Sequence, residues 1–509
     1  MNRRDFLKTV GVGAGAALIG GKVIEALAAP DLPGALGSVA LADQRDPVAH
    51  ILNRVTFGPR PGQVEAVKKM GVQAYLEQQL KPESIPDDAS ENRLGDYITL
   101  DMQPAELTAF AKQPAEVIAE LDSATVMRAV YSERQLYEIM VNFWSEHFSI
   151  YHLKNQCKFL KTADDRDVIR KHALGKFRDL LGASTKSPAM LIYLDNAESE
   201  KKHPNENYAR EVMELHTITI GNYTEDDVKE VARCFTGWTI QGLKGDNPGE
   251  FIFRPNLHDN DAKMVLGHAI AAGGGIQDGE TVLDLLASHP NTAELISNKL
   301  CRRFIADDPP DAVVKAGAQA FLSSGGDIPS VLRVIFASQE FLNAPAKFKR
   351  PFEYLVSLYR VFNVELPAIQ ANDAKKRASL ASLGILKGMG HLPFNHIEPN
   401  GYSDYASTWI VNMLLRWNAA IQTVYGQIPG SKIDLTGLAQ SQGVDLNGRS
   451  VLAFYGQHLL GRPLTQAEQD TIWNFASKKG EPDLTTPAGR LQMRNAIAVI
   501  AASPAFQYR

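Results

Sequence analysis

The sequence predicts a mainly α protein, a large multi-helix globular body with a few short β-strands. Three observations carry that expectation. Apolar residues make up 44% and charged residues 22% of 509, the balance of a chain that buries a core. Apolar positions recur with helical spacing along most of its length. Strand-compatible runs are short and scattered, at 190–194, 217–220 and 251–254, too sparse for a doubly wound sheet.

Taken in order, residues 1–28 read as a twin-arginine (Tat) export signal. Arg3-Arg4-Asp5-Phe6-Leu7-Lys8 precedes a weakly apolar Gly/Ala-rich stretch and the small triplet Ala26-Leu27-Ala28. A membrane span needs about 20 predominantly apolar residues, and Lys22 and Glu25 interrupt this one. Removal of the signal takes away Arg3, Arg4, Lys8 and Lys22 together with Asp5 and Glu25, so a formal charge of −5 becomes more acidic in the mature chain. Export is expected to be to the periplasm or beyond, with no transmembrane anchor in the mature form. Residues 29–44 form a Pro/Gly/Ala linker, 45–345 a main helical domain, and 346–509 a C-terminal helical subdomain packed on it.

Within the main domain, residues 47–80 carry helical periodicity broken at Gly58-Pro59-Arg60-Pro61-Gly62. In 136–150, Leu136, Ile139, Met140, Phe143, His147 and Ile150 share one stripe and Val141, Trp144 and Phe148 a second, the pattern of a buried helix. Thr224 with Asp227 has capping-box spacing ahead of Val228, Val231, Ala232 and Phe235, with Gly237 as the stop. Helical blocks at 279–304 and 311–341 follow, and beyond the basic break at 347–351 helices run to the end. Residues 334–341 echo 499–506, either two similar closing units or two helix ends built from common residues.

Several function classes drop out. A net charge of −5 argues against a surface that tracks nucleic-acid phosphates. Cys157, Cys234 and Cys301 lie far apart with no CxxC, so they read as small buried apolar residues rather than a zinc or haem site or a disulfide framework. Gly273-Gly274-Gly275 lacks dinucleotide-fold spacing and reads as a flexible loop, and neither a phosphate loop nor a GxSxG elbow occurs.

Polar clusters mark where chemistry can sit. The densest run spans 195–216. On a helix, Asn207, Arg210, Glu211 and Glu214 share a 100° arc, suited to a solvated face laced by Arg210–Glu214 or to a carboxylate-lined cleft. Glu214 and His216 can converge only if the helix ends near Leu215. His147, on an apolar stripe beside Glu146, is a satisfied core imidazole or one tuned by a carboxylate. The segment 254–261, with His268 beyond, is a carboxylate/imidazole loop or a turn-rich connector. The loop 390–402, with Trp409, Arg416 and Trp417 after it, mixes aromatic faces with Asn and His, a mixture suited to a sugar ring, or is pinned structurally over the core.

LNRVTFGPRPG at 52–62, NFWSEHFSI at 142–150, the long block from Met190 to Trp238, FRPNLHD at 253–259, KRPFEY at 349–354 and GHLPFNHIEPNGY at 390–402 together resemble the bacterial family catalogued as domain of unknown function 1800. The resemblance covers nearly the whole mature chain. It implies an exported, largely helical protein, often encoded near a second exported family of sulfatase-like appearance. It brings no named reaction and no established catalytic residues. The chain departs at His396 and Glu398, where the family has a plainer Pro-rich run.

The expectation is an exported hydrolase-type enzyme acting on an extracellular polysaccharide or similar polymer. Glu206, Glu211, Glu214, His147 and His216 are its candidate catalytic residues. Asn205, Asn207, Arg210, Trp238, Asn395, His396, Tyr402, Trp409 and Trp417 are its candidates for substrate contact, with Tyr402, Trp409 and Trp417 as a stacking wall. A divalent metal is a candidate cofactor, and the Tat translocase a transient partner. The alternative is a noncatalytic scaffold for another exported enzyme, such as the sulfatase-like partner.

Overall fold

Among the described residues helix follows helix, interrupted by two small two-stranded sheets. The computed structural model describes residues 21 and 23, 45–109, 114–242, 249–367 and 380–509. The expected export signal and linker lie outside the described residues, apart from Gly21 and Val23. Six helices position the site: α1 (Gln135–His147), α2 (Glu206–Glu214), α3 (Glu225–Cys234), α4 (Pro290–Phe304), α5 (Pro351–Val361) and α6 (Met413–Val424). Strands β1 (Trp238–Ile240) and β2 (Phe251–Phe253) pair antiparallel, as do β3 (Lys263–Val265) and β4 (His268–Ile270). The protein is therefore mainly α. No helix of the described residues is long and apolar enough to cross a membrane.

Local chemistry explains the helix boundaries. Helix α3 opens on the expected capping box, with the Thr224 side chain accepting from the Asp227 amide and Asp227 accepting from the Thr224 amide. The periodicity of 279–304 divides into two helices at His289-Pro290, where Pro290 has no amide proton to continue the first and a fixed φ that suits the start of the second. The block 311–341 breaks at Gly325 and Gly326, both left-handed.

Two strand expectations fail. Residues 190–193 belong to a helix, Pro188–Tyr193, because Ser187-Pro188 supplies a helix start. Residues 217–220 wrap irregularly around the end of α2, with the Thr217 hydroxyl donating to the Val212 carbonyl and Thr219 left-handed. Only the 251–253 stretch is a strand, and its partner β1 has just three residues.

The echo between 334–341 and 499–506 is a repeated local structure. Each segment ends a helix, caps the next turn with a serine, Ser338 or Ser503, accepting from the amide three residues on, and buries the phenylalanine, Phe341 or Phe506. Among the described residues the main apolar core includes residues from Val23 to Phe506, on both sides of residue 345. Polar ties cross there as well: Arg360 donates to the carbonyls of Gly58 and Val130, and the Tyr131 hydroxyl to that of Val364. The last residues lie beside the start of α5, Lys347 and Arg509 exchanging amide-to-carbonyl bonds of 2.9 and 2.8 Å. Cys157, Cys234 and Cys301 are buried and free.

Candidate functional site

Helix α1 ends in Glu146 and His147, and its apolar stripes place both at a cavity of about 350 Å³. His147 is 2% exposed, packed among Phe143, Trp144, Phe148 and Phe177. Its Nδ1 lies 2.8 Å from Nζ of Lys299 and its Nε2 lies 3.1 Å from the His216 carbonyl. A lysine ammonium can only donate and a carbonyl can only accept, so the ring is the neutral Nε2–H tautomer. Burial and the Lys299 charge agree with this, holding the His147 pKa well below its ordinary value. Burial also brings Lys299 down to about 8, against the pull of Asp404 and Glu146.

The neighbouring Glu146 faces the loop 400–405. Its carboxylate accepts from the Tyr402 amide at 2.8 Å and lies 3.9 Å from Nε2 of His391. Burial opposes its charge, yet His391, Arg350 and the Tyr402 amide hold its carboxyl below the usual range. The close pass of the loop depends on Gly401, at φ +70°, where a Cβ would stand 2.1 Å from the Glu146 carbonyl oxygen.

Helix α2 brings the third wall. Asn205 caps it, accepting from the amides of Asn207 and Tyr208, and the helix ends at Glu214 with Leu215 as its cap. That termination is the one needed for Glu214 and His216 to leave the helical register. Glu214 lines the cavity and accepts from the Tyr223 hydroxyl at 2.7 Å. His216 turns inward, 1% exposed, its ring 5.7 Å from that of His147, and burial lowers its pKa to about 3.

Cations form the remaining wall. Lys299, Arg302 and Arg303 project from α4, and Arg350 precedes α5. Arg303 and Arg350 share the buried carboxylate of Glu353, which also lies 3.5 Å from Arg509. Asp404 lies 3.4 Å from Arg350 and 3.7 Å from Arg303. Burial opposes ionisation of Glu353, but Arg303, Arg509 and Arg350 together keep its pKa well below normal.

Of the residues expected from sequence, Glu214, His147 and Tyr402 meet in this cavity, and His216 supports it from behind. The others lie elsewhere. Glu206 is exposed, and Glu211, half-buried, has its pKa raised by burial and by Glu214. Arg210 pairs with Glu225 of α3 at 2.6 Å rather than with Glu214. Asn205 serves as a cap, and Asn207 reaches the Leu194 carbonyl at 3.4 Å. Trp238 is fully buried, its ring against Gly279. Asn395 bonds to His152, and His396 bonds to Asn400 at 3.0 Å. Trp409 is 5% exposed and stacks on His391, with Tyr402 5.9 Å away, while Trp417 makes no ring contact with either. Of the expected stacking wall, Trp409 is packed inward, while Tyr402 lines the cavity and Trp417 is half-buried apart from both.

The 254–261 segment proves to be a structural clasp. His258 is buried, its Nδ1 2.8 Å from the Thr236 carbonyl and its Nε2 3.1 Å from Asp278, which also accepts from Lys263 at 2.7 Å. Among the described residues no group of three or more His, Cys, Asp or Glu side chains is placed to hold a metal ion.

Sequence reasoning missed Lys299, Arg302, Arg303, Arg350 and Asp404. On α4 the three cations follow the apolar stripe and read as an ordinary solvated face. The available signal was the pairing of Glu146 with His147, and the Asn400-Gly401 step that a close backbone approach requires.

Neither a curated protein nor a solved structure matches the chain. The description Protein of unknown function (DUF1800) matches residues 50–508, nearly everything beyond the first fifty residues, and the chain belongs to that family.

Proposed function

We propose that the cavity between α1, α2 and α4 is the active site of an exported hydrolase-type enzyme acting on a polysaccharide or similar polymer. The observation that carries the reading is the convergence of Glu146, His147, Glu214 and Lys299 on one cavity of about 350 Å³. Two carboxylates from different helices are the equipment that glycosidic-bond hydrolysis uses, one giving a proton to the leaving oxygen and one acting on water or the sugar carbon. Glu146, held ionised by its donors, suits the base or nucleophile. Glu214, reaching the same cavity from α2, is assigned the proton-donor role by its position opposite Glu146. His147 with Lys299 supplies a second proton-carrying pair. The twin-arginine pattern at the N-terminus supports export.

The test is depolymerisation of a glycan panel by the purified protein and its Glu214→Gln and Glu146→Gln variants. The reading expects a loss of about 10²–10⁴ in rate in variants whose circular dichroism shows the fold retained. Wild-type rates in both variants would sink it.

One observation favours the scaffold alternative. Ile410, Val411 and Leu415 are 51%, 77% and 39% exposed, a short run of apolar side chains a few residues beyond Tyr405, suited to burial against a partner. A stoichiometric complex with the sulfatase-like exported protein, lost on Val411→Asp, would support that role. Two separate peaks on gel filtration would count against it.

A further inference from the structure

The cationic wall of the cavity has unused donors. Lys299, Arg302 and Arg303 stand at i, i+3 and i+4 of α4 and so share a face. Among the described residues neither Lys299 nor Arg302 has a carboxylate within ion-pair distance. Lys299 donates to the neutral ring of His147, and Arg302 to the Asp307 carbonyl at 3.0 Å and the Asn298 side chain at 2.8 Å. Arg303 is fully buried, and while one terminal nitrogen meets Glu353, its Nε and Nη2 have no hydrogen-bond partner among the described residues. Buried guanidinium donors without acceptors are costly and rare in a native fold.

Two of the three carboxylates of the same cavity accept hydrogen bonds, and the third, Asp404, lies in an ion pair although its Oδ1 accepts no hydrogen bond among the described residues. Glu146 takes the Tyr402 amide, Glu214 the Tyr223 hydroxyl, and Asp404 lies between Arg350 and Arg303. None of them lies within ion-pair distance of Lys299 or Arg302, although Asp404 and Glu146 attract the Lys299 charge from further off. Tyr405 fixes the plane of Arg302, with Cζ 4.6 Å from the ring centroid, so the guanidinium is held rather than free to wander.

We infer that this face of α4 is an oxyanion subsite, and that the polymer bound in the cavity carries a carboxylate or sulfate-ester group on its sugar units. The inference rests on the hydrolase reading for its place in catalysis. A planar fork and a neighbouring ammonium suit either oxyanion. Placing the acidic group on α4 sets the adjoining sugar beside Glu146 and Glu214 across the same cavity, so the subsite would select the substrate and also register it for cleavage.

The test measures binding and cleavage of three polymers by the full mature protein: dextran, dextran sulfate and polygalacturonate. At low salt at least one acidic polymer binds about tenfold or more tightly than dextran, the weight of one charge-assisted contact, and the preference shrinks as salt is raised. The preference disappears in a Lys299→Met/Arg302→Met variant and largely returns in Arg302→Lys, with folding checked by circular dichroism. Equal affinity for all three polymers overturns the subsite, and so does a preference that the double variant retains, which would place polyanion binding elsewhere on the surface. The outcomes separate the two readings. Charge-selective binding without cleavage upholds the subsite and counts against hydrolysis, whereas cleavage without charge selectivity upholds hydrolysis and overturns the subsite.

Discussion

Gly401 shows how much of the cavity depends on single side chains. Its φ of +70° and the 2.1 Å approach of a would-be Cβ to the Glu146 carbonyl leave room for no other residue. Gly401→Ala is expected to destabilise the fold by about 1–3 kcal/mol and to pull the Tyr402 amide from Glu146; an unchanged denaturant midpoint would contradict this. Glu353 is the common acceptor for Arg303, Arg350 and Arg509. Glu353→Gln leaves those guanidiniums buried without their counter-charge, and a loss of about 3–5 kcal/mol is expected, read by chemical denaturation.

Lys299 gives a residue-scale prediction in pH. Burial has brought its ammonium down to about 8, and the groups that face it are His147 and Glu146 from α1, Arg302 from α4 and Asp404 from the loop 400–405. Any activity that needs the ammonium is full below that value and fades as pH rises through about 8. Lys299→Arg is expected to move the alkaline limb upward; a limb that stays in place would assign it to another group.

At the scale of elements, the sequence is readable where the backbone is specified locally. The Thr224–Asp227 capping box formed as its spacing requires, and Thr224→Ala is expected to cost about 1 kcal/mol, measured as a shift in melting temperature. The helix break at Pro290 and the repeated Ser338 and Ser503 turns are equally local. Three-residue strands mostly are not: the sequence pattern marks 251–253 but not β1, β3 or β4, because a period of two cannot be recognised in three positions. The apolar run at 190–193 fits strand or helix, and Ser187-Pro188 decides for helix.

The site was legible only where sequence neighbours are also neighbours in space. Glu146–His147 and the end of α2 at Glu214 lie in the dense polar runs. Lys299 and Arg302, by contrast, acquire their meaning from His147, more than 150 positions earlier, and from Tyr405, about 100 positions later. Trp238 and Trp409 mislead for the opposite reason, since aromatic residues next to polar loops are as useful for packing as for stacking on sugars.

Across the whole molecule, buried imidazoles set the pH dependence of stability. Burial holds His216 at about 3 and His50 and His152 at about 4, with His147, His391 and His458 also lowered. In the unfolded chain these groups take up protons near pH 6.5, so the stability they contribute is full above that pH and declines as pH falls toward 4. Asp122, raised by burial, runs the other way, contributing most below its unfolded value and less as pH rises. With six imidazoles against it, the melting temperature is expected to fall between pH 7 and pH 5. A flat or rising profile would contradict the neutral, buried histidines.

The cavity formed by α1, α2 and α4 is the proposed meeting place of this protein and a polymer. A crystal structure of the Glu214→Gln protein soaked with an acidic oligosaccharide tests it most directly. The sugar is expected between residue 214 and Lys299, with its acidic group on Arg302. An oligosaccharide bound only elsewhere, such as against the apolar groove of Leu446 and Leu491 in the C-terminal helices, would contradict it.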